Sequence, residues 1–253
     1  MTITLKREKI FCGNLLLVNA QHPIRHADKG EMTAAFPAFP DILMRSEAAA
    51  ALQRLLDSIP AGGDIVPVSG YRDAAEQTAI YEDSLRDNGE DFTNRFVARP
   101  GCSEHQTGLA IDLGLNREEI DFIRPDFPRG GICGVFRQAA GDFGFVERYL
   151  KGKEKLTGIA HEPWHFRYVG WPHSKIMAQG HLVLEEYLQM LRKRRQENPL
   201  LYRSKTGGSV AIYYLPALEG ETVVSLPKKA ICRISGDNVD GFIVTVWRDP
   251  HEP

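Results

Sequence analysis

Pro163 does most to limit what this chain can fold into. It stands inside Glu162-Pro163-Trp164-His165, where a regular helix interior would lose a hydrogen bond and clash, and it holds Glu162 to extended backbone. Glu162 and His165 are therefore not the paired residues of a helical metal motif, and residues 159–169 read as an extended, strand-like segment. A strand alternates faces, so positions three apart point opposite ways. If both side chains serve one centre, the Pro-Trp step must contain a bend or bulge.

Other polar clusters give that centre its chemistry. Ser69-Gly70-Tyr71-Arg72, Ser103-Glu104-His105 and Asp112 precede it in the chain. Together they offer two imidazoles and a carboxylate to hold a metal, a second carboxylate to move protons, and a guanidinium to meet an oxyanion. Those are the parts of a zinc hydrolase. His105 lies in a run that turns at Gly108 and enters a short apolar strand over 109–113, so a loop imidazole and the strand carboxylate of Asp112 converge. Taken singly, each cluster also fits an exposed helix pair or an edge strand with polar residues; the combination is what specifies chemistry.

The flanking sequence supports these positions. Asp73 and Glu76 form a capping-box pattern that opens a helix to about residue 87 and pins Arg72 between it and a strand over 65–68. An earlier amphipathic helix is expected over 44–58, with Ala48, Leu52, Leu55, Leu56 and Ile59 inward. The Pro- and Gly-rich stretch between Asp112 and Cys133 reads as a long loop, either a lid or a plain surface connection. A helix from about His173 is expected to end in the solvated cations Arg192-Lys193-Arg194-Arg195. After Asn198-Pro199, four short strands are expected over 209–215, 222–226, 230–234 and 242–247. The expected division is a domain over 1–198 and a small β-rich extension over 199–253.

The motifs S-G-Y-R, S-x-H-x-x-G-x-A-x-D and E-x-W-H, present in that order, resemble the VanX, VanY and VanXY group of D-alanyl-D-alanine metallopeptidases. The similarity covers roughly residues 10–195, and a chain this short is similar to the VanXY form. The resemblance implies an α+β fold, an antiparallel sheet flanked by helices. It implies His105, Asp112 and His165 as Zn²⁺ ligands, Glu162 as catalytic base and Arg72 facing the scissile carbonyl. Three protein ligands leave one tetrahedral position open, as in catalytic rather than structural zinc. Ser103, Gln77 and Trp164 are candidate substrate contacts. The implied substrates are the D-Ala-D-Ala dipeptide and the pentapeptide precursor of the cell wall, whose destruction removes the target of a glycopeptide such as vancomycin. Two rival functions are a metal-holding but inactive module that binds wall peptides or a protein, and an endopeptidase of the L-Ala-D-Glu bond.

Charge and composition narrow the partners. A formal charge of −2 gives no electrostatic case for nucleic acid. No apolar run approaches the 18 or so residues of a membrane span, and no signal-peptide core is evident, so a cytoplasmic enzyme is expected. The four cysteines form no C-x-x-C pair and read as free thiols.

Overall fold

A computed structural model describes residues 1–25, 30–203, 208–228 and 230–248. It has two compact units, one of Val18–Val183 and one of Met1–Leu17 with Leu184–Pro253. The chain opens with strand β1 (Thr2–Lys6), which belongs to the smaller unit.

The larger unit is mixed helix and sheet, as expected. It runs β2 (Met32–Phe36), β3 (Phe39–Arg45), α1 (Ser46–Asp57), β4 (Ile65–Ser69), α2 (Ala74–Asn88), α3 (Glu90–Phe96), β5 (Ala110–Leu115), α4 (Gly131–Ala140), β6 (Phe145–Tyr149), α5 (Glu154–Thr157), β7 (Glu162–Tyr168) and α6 (His173–Gly180). Four strands form an antiparallel sheet in the order β4-β5-β7-β6, while β2 and β3 pair as a separate hairpin. The hairpin holds Met44, so α1 begins two residues later than the sequence pattern suggests. Its buried face remains Ala48, Leu52 and Leu55, with Leu56 and Ile59 half-buried against the same core.

Strand alternation divides the sheet into an apolar face and a polar one. Ile111, Leu113 and Phe166 enter the core beside Phe127 and Phe136, and these three aromatic rings meet edge to face with centroids 4.9–5.7 Å apart. Asp112 lies between Ile111 and Leu113 and opposite His165 in the antiparallel register. On the β6 side, Glu147 pairs with Phe166 but Tyr149 pairs with Glu162, so β7 carries extra residues there. That is the bulge required by Pro163, and it lets Glu162 and His165 reach one pocket.

In the smaller unit, α7 (Leu184–Leu191), β8 (Leu200–Arg203), β9 (Ser209–Pro216), β10 (Glu221–Ser225), β11 (Ile231–Gly236) and β12 (Gly241–Arg248) complete the chain. The four strands expected at the C-terminus are present, but β10 pairs with β1 while the others form a sheet in the order β11-β12-β9-β8. Ile3 and Leu5 of β1 pack on a core of Tyr213, Val224, Leu226, Val244 and Val246. This pairing across the whole chain gathers the N-terminus into one unit with the C-terminal strands, where composition suggested a cut at 198/199.

The single helix expected from His173 is two helices, because His181 adopts φ 50° and its amide, with that of Leu182, turns back on the last carbonyls of α6. Arg192 is ion-paired to Asp237 at 2.8 Å and Asp240 at 2.6 Å, and is not merely a solvated helix-end cation. All four cysteines are free thiols. Among the described residues no helix is long and apolar enough to cross a membrane.

Candidate active site

His105, Asp112 and His165 each offer a ligand atom, and these atoms lie within 4.8 Å of one another in a buried cluster. His105 sits on a short helical turn (Glu104–Thr107) closed by Gly108 at φ +69°. A Cβ at Gly108 would come within 2.6 Å of the Met32 side chain, and the left-handed backbone favours glycine in any case. The His105 Nδ1 lies 2.6 Å from the Gly70 carbonyl, which requires it to be the N–H donor, and its Nε2 faces Asp112 Oδ2 at 3.1 Å. His165 is turned the other way round. Its Nδ1 faces Asp112 Oδ1 at 2.9 Å and its Nε2 lies 3.4 Å from Glu104 Oε2. Each imidazole thus has an outer nitrogen tied to an oxygen acceptor and an inner nitrogen directed at the shared carboxylate. Outer-sphere bonds of this kind fix the tautomer a metal needs. Two imidazole nitrogens and one carboxylate suit a divalent transition metal with an open coordination position.

Behind His165 lies a layer absent from the sequence reading. Glu104, Arg148 and Arg167 have fully buried side chains; Glu104 Oε1 accepts from Arg148 Nε at 2.8 Å and is ion-paired with Arg167 Nη1 at 2.8 Å. Burial opposes the charge of Glu104, but the two guanidiniums and His165 overcome it and hold the carboxyl well below its usual range. The signal available in sequence was weak: an arginine in each of two strands, and an acid beside an expected ligand.

Glu162 is also buried but has a different environment. Burial is the main cause that raises its pKa to about 8, opposed by His165 and assisted by Asp112. Its carboxylate lies 3.8 Å from His165 Nδ1. Burial lowers the His165 pKa, but Asp112 and Glu104 outweigh it and the group rises to about 9. Burial and Arg72 push His105 down. Asp112 is held well below the usual carboxylate range; burial opposes this, and the His105 and His165 interactions outweigh it.

Arg72 occupies the junction of β4 and α2, where the Asp73 carboxylate accepts from the Glu76 N–H at 2.8 Å and caps the helix. The guanidinium donates to Ser69 Oγ at 2.7 Å, Gln77 Oε1 at 3.4 Å and Asp112 Oδ2 at 3.0 Å. Gln77, expected as a substrate contact, is fully buried with its amide nitrogen donating to the Ala98 carbonyl at 2.8 Å. Both ends of its amide are engaged, so it braces Arg72. Ser103 and Trp164 do line the pocket, and Trp164 also belongs to the core. Tyr149, another residue missed in the sequence, stands 4.8 Å from the His165 ring. The loop after β5 brings Phe122 and Ile123 to the pocket, with the Arg72 guanidinium 5.6 Å from the Phe122 ring centre. The cavity holds about 40 Å³, so it suits a small end group.

Residues 41–171 match the family model described as VanY, D-alanyl-D-alanine carboxypeptidase, a stretch that includes His105, Asp112, His165 and Glu162. The chain is 42 % identical over 177 residues to the bifunctional D-Ala-D-Ala dipeptidase and carboxypeptidase VanXYC of Enterococcus gallinarum, covering 69 % of this chain and 93 % of that one. It superposes with TM-score 0.97 and 54 % identity on the vancomycin-resistance D,D-dipeptidase VanXYg in complex with a D-Ala-D-Ala phosphinate analogue, over 98 % of this chain and 99 % of that one. A mutant of the D,D-pentapeptidase VanY from a VanB-type resistance cassette, in complex with Zn(II), matches at 30 % identity and TM-score 0.57 over 69 % of this chain and 98 % of that one. The chain belongs to the VanY family of D-alanyl-D-alanine carboxypeptidases.

Proposed function

We propose that this protein is a cytoplasmic zinc peptidase that hydrolyses the D-Ala-D-Ala dipeptide and removes the terminal D-Ala of pentapeptide wall precursors, depriving a glycopeptide antibiotic of its target. The observation that carries the proposal is the placement of Glu162, buried with a pKa near neutrality, beside the His105, Asp112 and His165 cluster. A structural metal needs neither a proton-active carboxylate nor a guanidinium in its pocket, and this separates the enzyme from an inactive binding module. The similarity to VanXYC and VanXYg supports the D-Ala-D-Ala specificity.

His105 Nε2, Asp112 and His165 Nδ1 would hold the ion. A divalent metal in such a site polarises a carbonyl oxygen and acidifies a water. The remaining work falls to the chain. Glu162, pushed up from an ordinary carboxylate toward about 8, is matched to take a proton near neutral pH and to return it to the leaving amine. Arg72 is held by Ser69 and Gln77, which orients its guanidinium toward the charge that develops on the scissile oxygen. Asp112 stays ionised throughout because its surroundings hold it far below neutrality. Ser103 offers a hydroxyl to the terminal carboxylate, and Trp164 walls the pocket against larger side chains.

The test is release of D-Ala from D-Ala-D-Ala and from a muramyl pentapeptide by zinc-loaded protein, with L-Ala-L-Ala as control. Release from both D-Ala-D-Ala substrates and none from the control is expected. Stoichiometric zinc with no release from any substrate would turn the assignment into a binding module.

A further inference from the structure

A second concavity, of about 600 Å³, lies beside the metal pocket and shares Phe96 and Ile159 with it. Where carboxylates and imidazoles dominate the metal pocket, cations dominate here. Arg95, Arg129, Lys151 and His161 line it, against one carboxylate, Glu154. Glu154 is turned back on its own loop, where its Oε1 accepts the Gly152 N–H at 3.0 Å. Arg129 shares Glu147 with Arg137 and with His161. Arg95 rests on the Phe96 ring with its guanidinium carbon 5.3 Å from the centroid, and neither Arg95 nor Lys151 meets a carboxylate at ion-pair distance among the described residues. The groove is therefore a cationic trough whose inner wall is the outer wall of the active site.

A carboxypeptidase substrate ends inside the pocket, so whatever extends beyond it is the N-terminal part of the peptide. The wall peptide that ends in D-Ala-D-Ala carries a D-Glu residue upstream, whereas the free dipeptide carries nothing there. We propose that this groove is an extended binding subsite for the anionic upstream part of the longer substrate, with Arg95 and Lys151 taking the carboxylate of its acidic residue. The proposal rests on the D-Ala-D-Ala assignment above and deepens it: one pocket serves both substrates, and the groove is used by the longer one alone. Solvent-exposed charges of this kind act modestly and are screened by salt.

The experiment uses zinc-loaded full-length protein and the double variant Arg95→Glu/Lys151→Glu. Substrates are D-Ala-D-Ala, the free pentapeptide, the same pentapeptide with its acidic carboxylate converted to the amide, and the pentapeptide attached to its nucleotide diphosphate sugar. The variant is expected to raise KM for the free pentapeptide by about fivefold to tenfold, with kcat unchanged and dipeptide hydrolysis intact, which also reports a folded active site. The amide form is expected to be insensitive to the variant. An unchanged pentapeptide KM overturns the proposal, as does an equal loss on the dipeptide. An effect confined to the nucleotide-linked substrate also overturns it, since the groove would then read phosphate. If wild-type protein releases D-Ala from neither substrate, the enzymatic assignment fails. In that case calorimetric binding of the free pentapeptide decides the groove by itself: weaker binding to the variant supports it, and equal binding overturns it.

Discussion

His165 stands between two buried carboxylates, and the regions that hold them differ. On one side Glu104 is clasped by Arg148 and Arg167 at 2.8 Å with no side-chain exposure, and its charge is fixed far below neutral pH. On the other side Glu162 lines a cavity, has no guanidinium at bonding distance among the described residues, and is raised to about 8 by burial. Equal burial thus gives opposite protonation behaviour, and the difference lies in the partners. A carboxylate with two guanidiniums can orient an imidazole but cannot cycle a proton near neutrality, while one buried without such a partner can.

The largest effect that would break this comparison is on stability. Glu104→Ala takes the shared carboxylate from two buried guanidiniums and is expected to cost about 3 to 5 kcal/mol. The same variant frees the outer nitrogen of His165 and should weaken metal affinity about 10- to 100-fold. Urea unfolding of the metal-free protein and zinc competition read the two separately. A variant with native stability would mean that the layer behind His165 is not what holds it.

Arg72 is expected to act next most strongly, through transition-state charge. Arg72→Ala should lower kcat by the equivalent of about 2.7 to 4 kcal/mol, as for loss of one oxyanion donor. Arg72→Lys should recover only part, because an ammonium cannot satisfy Ser69, Gln77 and Asp112 with the geometry of a planar fork. Steady-state kinetics on the dipeptide measures both, and full rescue by Lys would remove the fork from the account.

Proton linkage gives smaller effects of defined sign. In metal-free protein His165 titrates near 9, so at neutral pH a metal must displace its Nδ1 proton. Zinc affinity should therefore fall about tenfold per unit as pH drops below that value, and calorimetry in buffers of different ionisation enthalpy should show proton release. His165 and Glu162 both have folded pKa values above their ordinary ones. Each favours the folded state at low pH, and that contribution disappears as pH rises through about 8 for Glu162 and about 9 for His165. Between pH 5 and 9 the metal-free protein should lose stability from these two groups, and Glu162→Gln should flatten part of the slope. A Tm that rises across this window for wild type, with the slope unchanged in the variant, would contradict the assignment.

Much of the site could be read from local sequence because its signals are local. Pro163 forbids a helix and forces the bulge, Asp73 caps the helix that follows Arg72, and Gly108 turns the chain into the strand that bears Asp112. What escaped depends on partners far apart in the chain. Arg148 and Arg167 acquire meaning only when β6 and β7 bring them to Glu104, and a strand over residues 2–6 is recognisable only by its pairing with 221–225. Gln77 lies on α2 as expected, but the bonds of its amide to Arg72 and to the Ala98 carbonyl depend on partners that spacing along the helix does not reveal. Strand β3 took Met44 because pairing with β2 overrode a helical pattern that remained apolar through that residue.

The central claim is that Glu162 moves protons while the three ligands and the layer behind them hold the metal. It is tested most directly by measuring bound zinc and D-Ala release together in Glu162→Ala, beside wild type. Stoichiometric zinc with turnover reduced by about 10² to 10⁴ is the expected result. Turnover near wild type, or loss of zinc along with activity, would contradict it.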